Sequence, residues 1–414
     1  MASRLMDLPN EIIKEICCRP ELERDDLRAL RLTSKTLCEF TSDAFAHRCF
    51  EKITVLIARS SLRTFIDLSH HPRFGPAVKQ VNVSPKSIVR SCHWHQPVTY
   101  QTFSGDPKVL RNFLNRSHEE LELTDGIYVE PMLSAAFKAF AQRQQSIGLQ
   151  FLDDESNPIG ARNLMTDKTS HVNWLWHSDW KTTFERTMRA VFSQDCKITD
   201  LLLDQQDNYH SCVDIGLCTD GVENLLSSVF SQLSSLEITF HHEDIELTAQ
   251  SIKRIVSASK VLKHLHMWDM GAIEYSIGEY LPNILRNVVS TSLETITLAM
   301  IHITEPELLA FLSRHRGTLR ELRMVEASRL VGSCMSLMAW IKDNLHSLKY
   351  LELNQVCDSH NAPSWDHREA KSYWITHDED MQACLADILN GKPTHKYTVE
   401  LTRYIPTGVM VKEA

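Results

Sequence analysis

Cys92-His93-Trp94-His95 places one thiol and two imidazoles within four residues, the donor types that hold zinc. A structural zinc site needs a second such cluster at usable spacing, and the chain offers none, so no metal is expected. Cys212 and Cys218 read as core or surface thiols. Asp153-Asp154 and Asp378-Glu379-Asp380 bring carboxylates together, but neighbouring acids of this kind start turns and helices more readily than they form acid–base machinery. The sequence has no Gly-rich phosphate loop followed by Lys-Ser/Thr, no dinucleotide fingerprint, no Gly-x-Ser-x-Gly elbow and no kinase set. No catalytic residues and no cofactor are therefore expected. The chemistry left is recognition.

Recognition residues need elements to carry them, and one pattern recurs. It is an apolar residue, two variable ones, a second apolar residue, one variable residue and a third apolar one. It occurs at Leu233-Leu236-Ile238, Leu262-Leu265-Met267, Leu293-Ile296-Leu298, Leu319-Leu322-Met324 and Leu348-Leu351-Leu353, with first residues 29, 31, 26 and 29 apart. Ile198-Leu201-Leu203 and Val78-Val81-Val83 fit earlier in the chain, and Ile147-Leu149-Phe151 fits more weakly. Between these runs lie helical spacings: Ile252, Ile255 and Val256; Leu281, Leu285 and Val288; Leu308, Leu309 and Leu312 after a Thr304-x-x-Glu307 capping box; Met338, Ile341 and Leu345. Strand alternating with helix predicts parallel strands joined by crossovers. A doubly wound sheet would want strands apolar on both faces, and these alternate. The reading is an α/β repeat array with one face of its sheet open.

If the second and third apolar positions point inward, the residues between them face out. Those residues are Glu237, Thr239, His264, His266, Trp268, Thr295, Thr297, Glu321, Arg323, Tyr350, Glu352 and Asn354. Rows with Trp, Tyr, Arg and His have the make-up of a protein-binding patch. His264, His266, Trp268, Arg323, Tyr350 and Glu352 are the candidate substrate-binding residues. Trp174, Trp176 and Trp180 are expected to pack on the edge of the array. Thr376-x-x-Glu379 with Met381, Cys384, Leu385 and Ile388, then Gly391 and the alternating Tyr397, Val399 and Leu401, predict a closing helix and strand.

The first fifty residues are helical in pattern. Leu8, Ile12, Ile13 and Ile16 share one face, with Pro9 in the first turn and Pro20 ending the helix. Asp25 or Asp26 begins a second helix running to Leu32 with Leu27 and Leu30, and Ser34 caps a third carrying Leu37, Cys38, Phe40, Ala44 and Phe45. Three short helices bury little by themselves, so surplus apolar surface wants either the rest of the chain or a partner.

Leu8-Pro9-Asn10-Glu11-Ile12-Ile13, then Ile16, then Asp26-Leu27-Arg28-Ala29-Leu30-Arg31-Leu32-Thr33-Ser34-Lys35-Thr36-Leu37 resembles an F-box, over residues 6 to 50. Cys17–Arg24 is longer and more charged than that family's usual turn. His70–Val83 is similar to the segment that follows the F-box in fungal members, and the later repeats resemble divergent leucine-rich repeats. They lack the family's Asn or Cys eight residues after the first leucine, where His241, Met270, Ile301, Ala327 and Val356 stand. The resemblance implies docking, through Leu8, Pro9, Ile12, Ile13, Ile16, Leu27, Leu30 and Leu32, to the Skp-family linker and through it a cullin. An unknown protein substrate would sit on the repeats. The same features fit a protein-binding scaffold outside ubiquitination. The expected organisation is an F-box at 1–50, a connecting segment with a first repeat-like strand at 51–110, a leucine-rich-repeat-like solenoid at 111–360 and a cap at 361–414.

Bulk properties agree with this reading. With 414 residues, 43% apolar and 23% charged, the chain can bury a large core in more than one domain. A formal charge of -9 argues against general nucleic-acid binding. Residues 1–7 lack the apolar stretch of a secretory signal and no run is long enough to span a membrane, so an intracellular location, cytoplasmic or nuclear, is expected. The eleven cysteines are scattered and are expected to stay reduced.

Overall fold

The computed structural model describes residues 8–19, 21–84, 86–88, 123, 128–152, 159, 176–178, 180–203, 223–240, 245–269, 280–325, 329–358, 369–375, 381–390 and 400–403. The chain is α/β. It divides into two compact units, Met1–Lys197 and Ile198–Ala414.

In the first unit, α1 (Asn10–Cys18), α2 (Arg24–Thr33) and α3 (Lys35–Phe50) form the expected helical trio. The Ser34 hydroxyl accepts from the Leu37 amide at 3.1 Å, as the cap reading requires. α2 starts at Arg24, one residue before Asp25, with Glu23 as its cap, and the Asp26 carboxylate accepts from the Glu23 amide at 3.0 Å. The trio is not set apart at residue 50. α3 runs into β1 (Lys52–Leu56), and Phe45 and Phe50 pack edge-on at 5.7 Å, with Phe74 from the turn before the next strand 5.0 Å from Phe50.

β1, α4 (Arg59–His70), β2 (Gln80–Ser84), α5 (Val129–Gln142) and β4 (Ile147–Phe151) continue the unit, followed by α6 (Trp180–Ser193). β1 pairs parallel with β2, and β2 with β4, so Ile53, Val81 and Leu149 line up and all are buried. β3 (Lys86–Ile88) and β5 (Trp176–Ser178) form a separate antiparallel pair. α5 and α6 end alike. Gln144 and Asp195 take left-handed φ of 53° and 50°, and Gln145 and Cys196 donate their amides back to Phe140 and Val191. Gly75 has a steric reason to be glycine, since a Cβ there would lie 2.5 Å from the Ser69 carbonyl oxygen.

In the second unit, β6 (Ile198–Leu203), β7 (Ser235–Phe240), β8 (His264–Asp269), β9 (Thr295–Ala299), β11 (Glu321–Val325) and β13 (Tyr350–Asp358) lie side by side in chain order. Every pairing along this run is parallel. The helices between them are α7 (Glu223–Val229), α8 (Ile245–Ala258), α9 (Leu281–Arg286), α10 (Glu305–Arg314) and α11 (Cys334–Asn344), each packed against the next. Connections between parallel neighbours of this kind are nearly always right-handed.

The apolar pattern supplies the core. Leu201, Leu236, Leu265, Ile296, Leu322 and Leu351 stand in one register row, and all are at most 1% exposed. Leu233, Leu262, Leu293, Leu319 and Leu348 are buried just ahead of the strands. There a backbone ladder crosses the unit: the amides of Ser234, Lys263, Glu294, Arg320 and Lys349 donate to the carbonyls of Thr199, Ser234, Lys263, Glu294 and Arg320 at 2.7–2.8 Å. It satisfies backbone groups at the entry to each strand. The Thr304–Glu307 box is present in both directions. The expected stripe of α10 is corrected in one place: Phe311 is buried and Leu309 only half-buried.

β10 (His302–Thr304) and β12 (Arg329–Val331) pair with each other, and β12 with the far end of β13. β14 (Glu369–Ile375) pairs antiparallel with β13, and β15 (Glu400–Arg403) with β14. α12 (Met381–Leu389) packs on α11, and its Met381, Cys384 and Leu385 are buried. Thr376–Glu379, Gly391, Tyr397 and Val399 lie outside the described residues, as does the side chain of Leu401.

Candidate functional site

The helical trio sorts its apolar residues into two groups. Ile13, Cys17 and Leu37 form a small closed core, with Leu30 and Phe40 packed against it. Leu27 is wholly buried. Ile13 and Leu27, both candidates for docking, are therefore internal, because the pairs α1–α3 and α2–α3 need apolar residues between them. Ile16 and Leu30 are half-buried. Leu8, Ile12 and Leu32 are 38%, 42% and 80% exposed, and Pro9 is exposed beside them. Large aliphatic side chains so exposed gain from leaving water at about 25 cal/mol per Å².

Arg31 is a tie within the trio. Its guanidinium donates to the Ser42 hydroxyl at 2.7 Å and the Cys38 carbonyl at 3.3 Å, and lies 4.4 Å from the Phe45 ring centre. It thereby joins α2 to α3 and leaves Leu30 and Leu32 on either side of an anchored residue.

The outward row on the sheet forms as the alternation requires. Glu237, His266, Thr297, Arg323 and Glu352 fall in one register line across β7, β8, β9, β11 and β13. Ser235, His264, Thr295, Glu321 and Tyr350 make the neighbouring line. Trp268 stands between Thr239 and Ala299 and is half-buried. The side chain of Asn354 lies outside the described residues.

The face is less open than alternation alone implies. Thr295 and Thr297 are 7% and 6% exposed although they point away from the leucine core. Both are short and sit between taller neighbours, His264 and His266 on β8 and Glu321 and Arg323 on β11. The Arg323 Nη2 donates to Glu321 Oε2 at 3.3 Å, its guanidinium carbon lies 4.5 Å from the Tyr350 ring centre, and the Tyr350 hydroxyl donates to Glu352 at 3.1 Å. Among the described residues, the buried Arg323 Nε and Thr297 Oγ1 have no hydrogen-bond partner.

Burial lowers the pKa of His266, and His264 and Arg323 push the same way against Glu321. Its imidazole is therefore held neutral, able to donate from one nitrogen and accept at the other. Burial, then Glu352, raises the Tyr350 phenol, keeping it a hydrogen-bond donor. The row offers donors, acceptors and ring faces on a rigid sheet. His264, His266, Trp268, Arg323, Tyr350 and Glu352 are thus brought onto one face of the second unit.

Of the tryptophans, Trp180 is buried at the start of α6, Trp174 lies outside the described residues, and so does the side chain of Trp176. Cys92–His95, Asp153, Asp154, Cys212, Cys218 and Asp378–Asp380 also lie outside them. Among the described residues no group of three or more His, Cys, Asp or Glu could hold a metal ion, and no helix is long and apolar enough to cross a membrane.

No known family's sequence model matches the chain, and no curated protein matches it.

Proposed function

We propose that the chain is the non-catalytic substrate-recognition subunit of a Skp-cullin-F-box ubiquitin ligase. In this reading α1 to α3 are the F-box and grip the linker, and the second unit is a leucine-rich-repeat-like solenoid that holds a protein substrate on its polar sheet face. The observation that carries it is the exposure of Leu8, Pro9, Ile12 and Leu32 on a trio whose Ile13, Cys17, Leu27 and Leu37 are buried. Several exposed aliphatic residues on so small a trio offer apolar area that a partner could take out of water.

The sheet row supports the second half of the reading. Trp268, Tyr350 and Arg323 are residue types that dominate binding energy at protein interfaces. They sit on strands, where a site is held more rigidly than on loops.

Affinity capture of the full chain from cells, with the ligase inhibited so that substrates accumulate, tests both halves together. Recovery of the linker, a cullin and a substrate supports the ligase reading. Recovery of a substrate without linker or cullin would replace it with a scaffold role.

A further inference from the structure

A cavity of about 350 Å³ opens between α8 and α9, on the helical layer and away from the polar sheet row. Its size is within the range of small-ligand sites. The floor is apolar: Ala249 and Ile284 are buried, and the small Ala249 leaves the space. The rim is cationic and rich in donors, with Lys253, Arg254 and the Tyr280 phenol.

Two basic residues of this unit have acids beside them, Lys263 with Glu294 and Arg323 with Glu321. Lys253 and Arg254 have no carboxylate partner among the described residues. Both are half-buried. The nearest acid on the same helix, Glu246, is held by the Gln250 amide at 3.1 Å, one turn back from the cavity. In a chain of formal charge -9, the described lining of this concave site carries two cations and no acid.

We propose that this cavity binds an oxyanion, carboxylate or phosphate, carried on a small apolar body. Arg254 gives a planar fork that fits either oxyanion, Lys253 adds a point charge, and the Tyr280 hydroxyl a further donor. The apolar body lies against Ala249 and Ile284. The site is independent of linker docking and of the sheet row.

The test is calorimetric titration of the purified full chain with phenyl phosphate, benzoate and inorganic phosphate at one ionic strength. Saturable binding of an aryl anion is expected, about tenfold tighter than inorganic phosphate, since burying a ring adds to the ionic contacts. The two aryl anions together distinguish phosphate from carboxylate as the preferred head. Lys253→Gln with Arg254→Gln should weaken binding about tenfold or more while thermal unfolding is unchanged. Ala249→Leu, which fills the cavity and keeps both charges, should abolish it. Failure of both aryl anions to saturate, or affinity unaltered in the Lys253→Gln/Arg254→Gln protein, overturns the proposal.

Discussion

The Arg323 guanidinium stacks over the Tyr350 ring, 4.5 Å from its centre, across the parallel pair β11–β13. The contact holds the arginine flat along the sheet while Glu321 takes one of its hydrogens. A partly exposed cation–π pair of this kind is worth about 0.5–1 kcal/mol. Tyr350→Leu and Arg323→Ala, alone and together, should give a coupling energy in that range by urea unfolding. A coupling of zero would mean that the two side chains stack without holding each other.

Substrate capture should depend on the same face. Trp268→Ala with Arg323→Ala is expected to lose the substrate while the linker is still recovered. Equal capture by the double variant would move the substrate site to the loops.

The division within the helical trio makes a second contrast. Leu27→Ala removes a wholly buried side chain and should destabilise the first unit by about 2–5 kcal/mol. Leu32→Ala, at a site 80% exposed, should change stability by no more than about 0.5 kcal/mol. Thermal and urea unfolding of the two variants side by side checks this.

How much of this was legible beforehand follows from what each signal encodes. The apolar spacing of the repeats found β2, β4, β6, β7, β8, β9, β11 and β13, because a strand buried on one face must alternate. β1 and α4 fell inside a segment read as a connection, although Ile53, Val55 and Leu56 are all buried. A single short strand without a following repeat of its spacing gives little signal. Periodicity placed Leu8, Ile12, Ile13 and Ile16 on one face but could not say which side of that face is covered. That depends on where α3 lies, which is a tertiary fact. The burial of Thr295 and Thr297 was hidden for a similar reason, as it comes from the height of residues on neighbouring strands.

His315 should make the protein sensitive to acid. It is 4% exposed at the end of α10, and its Nε2 has no hydrogen-bond partner among the described residues. Burial, helped by Arg314, brings its pKa down from 6.5 to about 4. In the unfolded chain this histidine takes a proton near pH 6.5, and in the folded chain only near pH 4. Its contribution is therefore complete above pH 6.5 and is lost as the pH falls towards 4, by up to about 3 kcal/mol. Burial shifts His266 in the same direction, which adds to the slope. His315→Gln should flatten the fall in stability between those pH values, as read by urea unfolding across the range. An unaltered slope would assign the acid sensitivity elsewhere.

Gly75→Ala should destabilise the first unit by about 1–3 kcal/mol, because the new methyl would meet the backbone oxygen of Ser69. Gly317→Ala is the control, with nothing within 4 Å of its added carbon. Similar losses for both variants would show that the close approach at Gly75 is not what matters.

The decisive measurement is direct binding between the purified chain and a purified Skp-family linker, comparing wild type with Leu8→Ala/Pro9→Ala. The exposure of Leu8, Pro9 and Ile12 predicts tight binding by the wild type and a loss of at least about tenfold in the variant at unchanged thermal stability. No binding by the wild type, or equal binding by both proteins, would contradict it.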